Sequence, residues 1–240
     1  MKIVVINSSP KGTASNTNIM VSAFLKGAQE AGAETVNIFL SEKEVKYCKG
    51  CLSCWIHTPG QCVIKDDMAE ILSVCEGANI FVLATPLYFD NVSSTLKAFM
   101  DRMIVKSNPH FQKDANGECR HLKNTETPSP KLVMISNCGF SERSHFQVIS
   151  HWIKRVALNM KTEVIGEFYA AQGGLLNTSA EELRPIISDY LKNMKNAGRE
   201  IVVDNKVSEE TKKLLEQNFI PDEIYIEKAN SYFDTVLNKS

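Results

Sequence analysis

The chain has 240 residues, 43% of them hydrophobic, and a formal net charge of −1. That is enough apolar material for one large α/β domain with additions, and there is no basic stripe to favour nucleic acid. No apolar run approaches the roughly 20 residues of a membrane helix, and the chain starts on a strand rather than a charged leader, so the expectation is a cytoplasmic protein with neither nucleic acid nor membrane as partner.

The first element is the apolar run Ile3, Val4, Val5 and Ile6, which reads as a strand buried on both faces of a parallel sheet. A loop of small donors follows: Ser8, Ser9, Lys11, Thr13, Ser15, Asn16 and Thr17. Met20, Ala23, Phe24, Gly27, Ala28 and Ala31 then share one helical face, and Gly32 offers a stop. A hydroxyl-rich loop at a helix N-terminus can cradle an anion, because free amides and the positive end of the helix dipole meet there. The loop carries neither a P-loop nor a dinucleotide fingerprint. It suits the terminal monophosphate of FMN, the alternative being an ordinary capped helix.

Further strands are expected over 34–40, 79–86, 132–137 and 163–170, with helices near 66–77, 92–104 and 142–159. The second of these helices is striped by Leu96, Phe99, Met100 and Met103 and capped by Ser93 or Ser94. Lys97, Asp101 and Arg102 on it read as a surface ion-pair network or a subunit contact. Strand and helix in alternation imply a parallel sheet, and five strands fit the doubly wound, flavodoxin-like order 2-1-3-4-5. Residues 105–130 are polar and aperiodic, a pattern that suggests a lid or an interface arm. The tail adds a long amphipathic helix opened by a capping box at Ser179–Glu182, then a last helix with Pro221 at its first position. Residues 1–175 thus form the sheet domain, and 176–240 a helical extension packed on it.

In such a sheet, ligands sit outside the carboxyl ends of the strands. Three loops meet that rule: the hydroxyl loop, Thr85-Pro-Leu-Tyr-Phe-Asp-Asn91 and Asn137-Cys-Gly-Phe-Ser141. The middle loop offers amides, two rings and Asn91 to a flat heteroaromatic, and Gly139 allows a close backbone approach.

Cys48, Cys51 and Cys54 are separated by two residues each, and Cys62 follows after seven more. Four thiolates in one loop can hold a [4Fe–4S] cluster or a zinc ion, or can be plain reduced thiols packed by Trp55. Because Cys48 follows the second strand, a cluster there would lie near the flavin edge. Cys75, Cys119 and Cys138 stand alone, and the five histidines, His145 and His151 included, form no metal motif. Surface or structural roles are expected for them.

Three segments together, SSPKGTASNTN, CKGCLSCWIHTPGQCVIKDDM and TPLYFDNVSSTLKAFMDRM, resemble the NAD(P)H-dependent FMN reductase group of the flavodoxin-like superfamily, and more narrowly its iron–sulfur flavoprotein branch. The resemblance covers about residues 1–170 and the tail PDEIYIEKANSYFD. It implies FMN, a homodimer with flavins near the interface, and phosphate-loop roles for Ser9, Lys11, Ser15, Asn16 and Thr17. It also implies ring contacts from Pro86, Leu87, Tyr88, Phe89 and Asn91, and from Asn137, Cys138 and Gly139. The activity implied is electron transfer from NAD(P)H through FMN to a small-molecule acceptor, with no catalytic acid, base or nucleophile singled out. Two other readings stand beside it. In one, an iron–sulfur electron carrier uses a cluster on Cys48, Cys51, Cys54 and Cys62 and a ferredoxin-like partner. In the other, the chain is a zinc-stapled binding module without enzymatic activity.

Overall fold

The computed structural model describes residues 1–124 and 126–238. Thr125, within the segment 105–130, and Lys239 and Ser240, at the end of the segment 176–240, lie outside the described residues.

Five parallel strands make the central sheet: β1 (Lys2–Asn7), β2 (Glu34–Phe39), β3 (Ile80–Pro86), β6 (Lys131–Asn137) and β7 (Val164–Ala170). Their order is β2-β1-β3-β6-β7. With the short hairpin β4 (Phe111–Lys113) and β5 (Cys119–His121) set aside, this is the expected doubly wound order. The pleat explains the unbroken apolar runs. Ile3 and Val5 face one core with Phe24 and Val82, while Val4 and Ile6 face the other with Phe81 and Leu83. Both faces are covered, so neither set of side chains can be polar.

Helices α1 (Asn16–Glu30) and α6 (Arg184–Asp204) cover the first face. They cross at van der Waals contact through two glycines. A Cβ on Gly27 would stand 1.8 Å from the Lys195 carbonyl oxygen, and one on Gly198 would stand 2.0 Å from that of Phe24. The second face carries α3 (Met68–Cys75), α4 (Ser94–Arg102) and α5 (Gln147–Met160). Two short helices, α2 (Ser53–Ile56) and α7 (Glu209–Leu215), and the C-terminal α8 (Asp222–Leu237) complete the chain.

Several expectations are corrected. The capping box at Ser179–Glu182 opens only a 3-10 turn, Glu181–Leu183, and α6 begins at Arg184 with Pro185 in its first turn. Proline has no N–H to lose there and its φ is already helical. Pro221 caps α8 rather than standing inside it. Residues 105–130 do not form one long loop. Lys106 closes a 3-10 turn, and the β4–β5 hairpin follows, tied down by buried Arg120, which bonds Asp114, Glu118 and, at 3.0 Å, Asn159 of α5. Lys97 and Asp101 make the expected exposed pair at 2.6 Å. Arg102 leaves that network and is buried, as described below.

Candidate functional site

The register brings the ends of β1, β3, β6 and β7 to one edge: Asn7 lies beside Ala84, Pro86 beside Asn137, and Asn137 beside Ala170. The three loops expected to hold a ligand leave from there, and side chains join each to the others. Thr17 Oγ1 accepts a hydrogen bond from Asn137 Nδ2 at 2.8 Å, linking the first loop to the third. The Leu87 amide donates to the Asn137 carbonyl at 2.9 Å, linking the second to the third. Ser93 Oγ donates to Ser8 Oγ at 2.9 Å, linking the second to the first.

In the first loop, Ser15 is the N-cap of α1; its hydroxyl accepts from the Asn18 amide at 3.0 Å and donates to the Gly12 carbonyl at 2.7 Å. It therefore shapes the cradle with both its donor and its acceptor engaged. Ser9 and Thr17 are buried, Asn16 opens the helix half-buried, and Lys11 is exposed. Among the described residues no partner is found for the Ser9 hydroxyl, and Thr17 keeps its own proton to donate. A layer the sequence reading missed lies below. Asn18 Oδ1 accepts from Asn7 Nδ2 at 3.3 Å and Asn37 Nδ2 at 3.1 Å, and Asn7 Oδ1 accepts from the Ser9 amide. The repeated asparagines of the segment were its one sequence signal.

The second loop is a tight turn. Tyr88 and Asn91 pair through both amides, and the two residues between them, Phe89 and Asp90, stand at φ 48° and 55°. Left-handed backbone at both central positions is a primed turn. For a bulky Phe it is strained, and such strain concentrates at ligand sites. Phe89 is fully exposed and Tyr88 half exposed, while Pro86 is buried and Leu87 half-buried behind them. Asn91 Oδ1 accepts from the Val92 amide, which fixes its side chain.

In the third loop, Asn137 and Cys138 are buried and Gly139 is open. Burial pushes the Cys138 thiol up, so it stays protonated and its contribution is shape. A Cβ on Gly139 would meet nothing within 4 Å; the protein itself does not require glycine there, and the loop keeps room for a bound molecule. Gly173 is the glycine that the site does require, because a Cβ there would come within 2.8 Å of Asn137. Gln172, also missed, is fully buried at φ 54°. Its amide donates to Ser141 Oγ at 3.0 Å and to the Ile220 carbonyl at 2.9 Å, fastening the third loop to the tail. Tyr225 of α8 adds a 2.6 Å bond to the Gly139 carbonyl. At the rim, His145 stacks on Phe140 at 4.5 Å and pairs with Asp90 at 2.8 Å.

The four cysteines line one small pocket with Arg102, Ile104 and Val105. Cys48 and Cys51 are exposed, Cys62 is half-buried and Cys54 is buried. Hydrogen bonds from Ser53 lower the Cys51 thiol, whereas burial and the neighbouring Cys62 raise that of Cys54. Among the described residues no group of three or more His, Cys, Asp or Glu side chains is placed to hold a metal ion; what the four cysteines share is the lining of that pocket. Trp55 anchors the loop by donating to the carbonyls of Ile104 and Ser107 at 3.2 and 2.9 Å. The β2 strand ends at the same edge as the first loop, Phe39 beside Asn7. The pocket, however, is lined from the far end of α4, about 13 Å of helix beyond its Ser93 cap.

Comparison with known proteins matches residues 1–174 to the NADPH-dependent FMN reductase family. An iron–sulfur flavoprotein of Archaeoglobus fulgidus is 38% identical over 104 residues, 43% of this chain and 46% of that protein. One from Methanosarcina thermophila is 37% identical over 111 residues, 46% and 56% of the two chains. The chain thus spans about half the length of these relatives. An FMN-dependent NADH-azoreductase from Bacillus anthracis, solved with FMN, shares the fold with a TM-score of 0.61 at 20% identity, covering 84% of this chain and 99% of that one. A NAD(P)H:quinone oxidoreductase from Methanothermobacter marburgensis gives 0.59 at 17% identity, over 84% and 96%.

Proposed function

The chain belongs to the NADPH-dependent FMN reductase family, and from that premise we propose that it is an FMN-dependent oxidoreductase passing electrons from NAD(P)H to a small-molecule acceptor. The observation that carries the reading is the cross-linking of three ligand-ready loops at one sheet edge. Ser9, Asn16 and Thr17, with the amides that open α1, would hold the phosphate, and Lys11 would add charge from the rim. The 86–91 turn and residues 137–139 would flank the ring, with backbone groups and exposed rings rather than ionisable side chains. FMN held there would supply the redox chemistry, two-electron exchange with a nicotinamide and one- or two-electron exchange with an acceptor. The protein's part is to bind, orient and cover it.

The test is spectroscopic. Protein purified without oxygen is expected to show flavin absorption that NAD(P)H bleaches and an added acceptor restores. Protein that neither carries flavin nor takes up added FMN would sink the reading.

A second reading has its own observation: four cysteines line one pocket and leave a buried Arg102 N–H unpartnered beside it. Four thiolates from one loop, all lining that pocket, are a donor set that suits a [4Fe–4S] cluster, which Cys48, Cys51, Cys54 and Cys62 would hold. Relatives bearing the name iron–sulfur flavoprotein support it. A ferredoxin-like protein would then be the natural electron partner. About four irons with matching sulfide per chain, lost in Cys51→Ser, is the expected result; zinc in their place, or metal at background, rejects it.

The protein is further read as a homodimer. Helix α8 has no buried residue, and Tyr232 and Phe233 on it are 63% and 58% exposed; a second copy would cover them.

A further inference from the structure

Resting on the cluster reading, we propose that Arg102 is the positioning residue of the four-cysteine site, donating its Nε–H to the sulfur of Cys62 and so raising the reduction potential and the retention of a cluster bound there.

The argument starts from how completely this guanidinium is held. Arg102 lies at the end of α4 and is 2% exposed. Its Nη1 donates to Asp66 Oδ2 at 2.7 Å and to the Lys46 carbonyl at 2.9 Å, and its Nη2 donates to Asp66 Oδ1 at 3.1 Å. Asp66 is itself fixed, accepting from the Lys46 and Met68 amides at 2.9 and 3.2 Å. Two arms of the guanidinium are therefore spent on locking it in one plane. The third polar atom, Nε, is buried without a partner. A buried N–H bound to a cation is costly to leave unpaired, and such orphans in native structures call for a ligand or a function.

The surroundings supply one. Arg102 lines the same pocket as all four cysteines. Cys62 is also among the groups that raise the arginine's pKa, after the Asp66 carboxylate, which places the thiol in its electrostatic reach. The carboxylate offsets the cation's charge, and the one N–H left without an acceptor belongs to a side chain that lines the pocket. An N–H donated to a cluster-ligating sulfur stabilises the reduced, more negative state, and it holds the ligand in place. Lysine cannot substitute. It has no Nε–H branch and cannot make the two-pronged contact that sets the angle.

Two variants test the proposal: Arg102→Lys, and the paired Asp66→Asn/Arg102→Gln, which keeps a hydrogen-bonded couple without the charges and the Nε–H. Bound FMN reports that each is folded, so if the single variant does not fold the pair reads the same quantities. Iron and sulfide content, the chelator concentration that strips half the iron, and the cluster midpoint from an EPR-monitored titration are measured anaerobically. Each folded variant is expected to lose iron at about 10- to 100-fold lower chelator and to show a more negative midpoint than wild type, with FMN affinity unchanged. Wild-type retention and midpoint in both variants would overturn the role of Arg102 and leave the cluster reading standing. Wild-type protein without iron and sulfide would overturn that reading first, and the inference with it.

Discussion

The Thr17 hydroxyl accepts from Asn137 at 2.8 Å, which leaves its own proton to donate, in the proposed reading to the FMN phosphate. Hydrogen bonds to a charged group contribute about 1.5–3 kcal/mol each. Ser9→Ala with Thr17→Ala is thus expected to weaken FMN binding by about 10²- to 10⁴-fold, read by flavin fluorescence on titration. Unchanged affinity would remove both residues from the cradle. Asp66 makes a different residue-scale prediction. Burial alone would raise its carboxyl, but Arg102 and the amides of Lys46 and Met68 outweigh burial and hold it below the usual range. A depressed folded pKa contributes stability above the unfolded value of about 3.9, and that contribution is lost as pH falls through the folded value. Urea midpoints are therefore expected to fall more steeply for wild type than for Asp66→Asn below about pH 4. At neutral pH, Asp66→Asn should cost about 3–5 kcal/mol, because it leaves a buried cation uncompensated. Equal slopes would contradict the shifted carboxyl.

At the scale of elements, the α1–α6 crossing rests on Gly27 and Gly198, whose missing Cβ atoms let each backbone touch the other helix. A methyl at either position must push the helices apart, and overpacking of this kind costs about 1–3 kcal/mol. Gly27→Ala and Gly198→Ala are expected to lower the Tm although alanine is the better helix former; a raised Tm would show that the helices can part freely. The 88–91 turn gives the opposite sign. Phe89 is left-handed and fully exposed, so it carries strain with no packing in return. Phe89→Gly should leave the flavin-free protein as stable or about 1 kcal/mol more so, while weakening FMN binding. Loss of stability without loss of FMN would make the ring a packing anchor instead.

For the whole molecule, the tail is fastened at one end and open at the other. Gln172 and Tyr225 tie its root to the third loop, while α8 presents rings to solvent. Sedimentation of the flavin-loaded protein at micromolar concentration is expected to give about twice the chain mass of 26.8 kDa. Tyr232→Glu with Phe233→Glu is expected to return it to a monomer, and a wild-type monomer would end the homodimer reading. Among the described residues no helix is long and apolar enough to cross a membrane.

By itself the sequence determined the alternation of strands and helices, the sheet order and the three loops. Each rests on local periodicity or on turn chemistry within a few residues, and the continuous apolar strands announced a sheet covered on both faces. The same local signal placed four cysteines in one loop. Periodicity says which side of an element is buried but not what lies against it, and there the reading stopped. Arg102 looked like the next member of a surface charge set after Lys97 and Asp101; only the fold brought it to Asp66, 36 residues away. Thr17 and Asn137 meet across 120 residues, and Gln172 was silent because its partners come from the tail. The box at Ser179–Glu182 lost to Pro185 because capping is worth only about 1 kcal/mol and the packing of α6 against α1 outweighs it. The tertiary structure decided these points because each depends on which distant backbone fills the space beside a side chain.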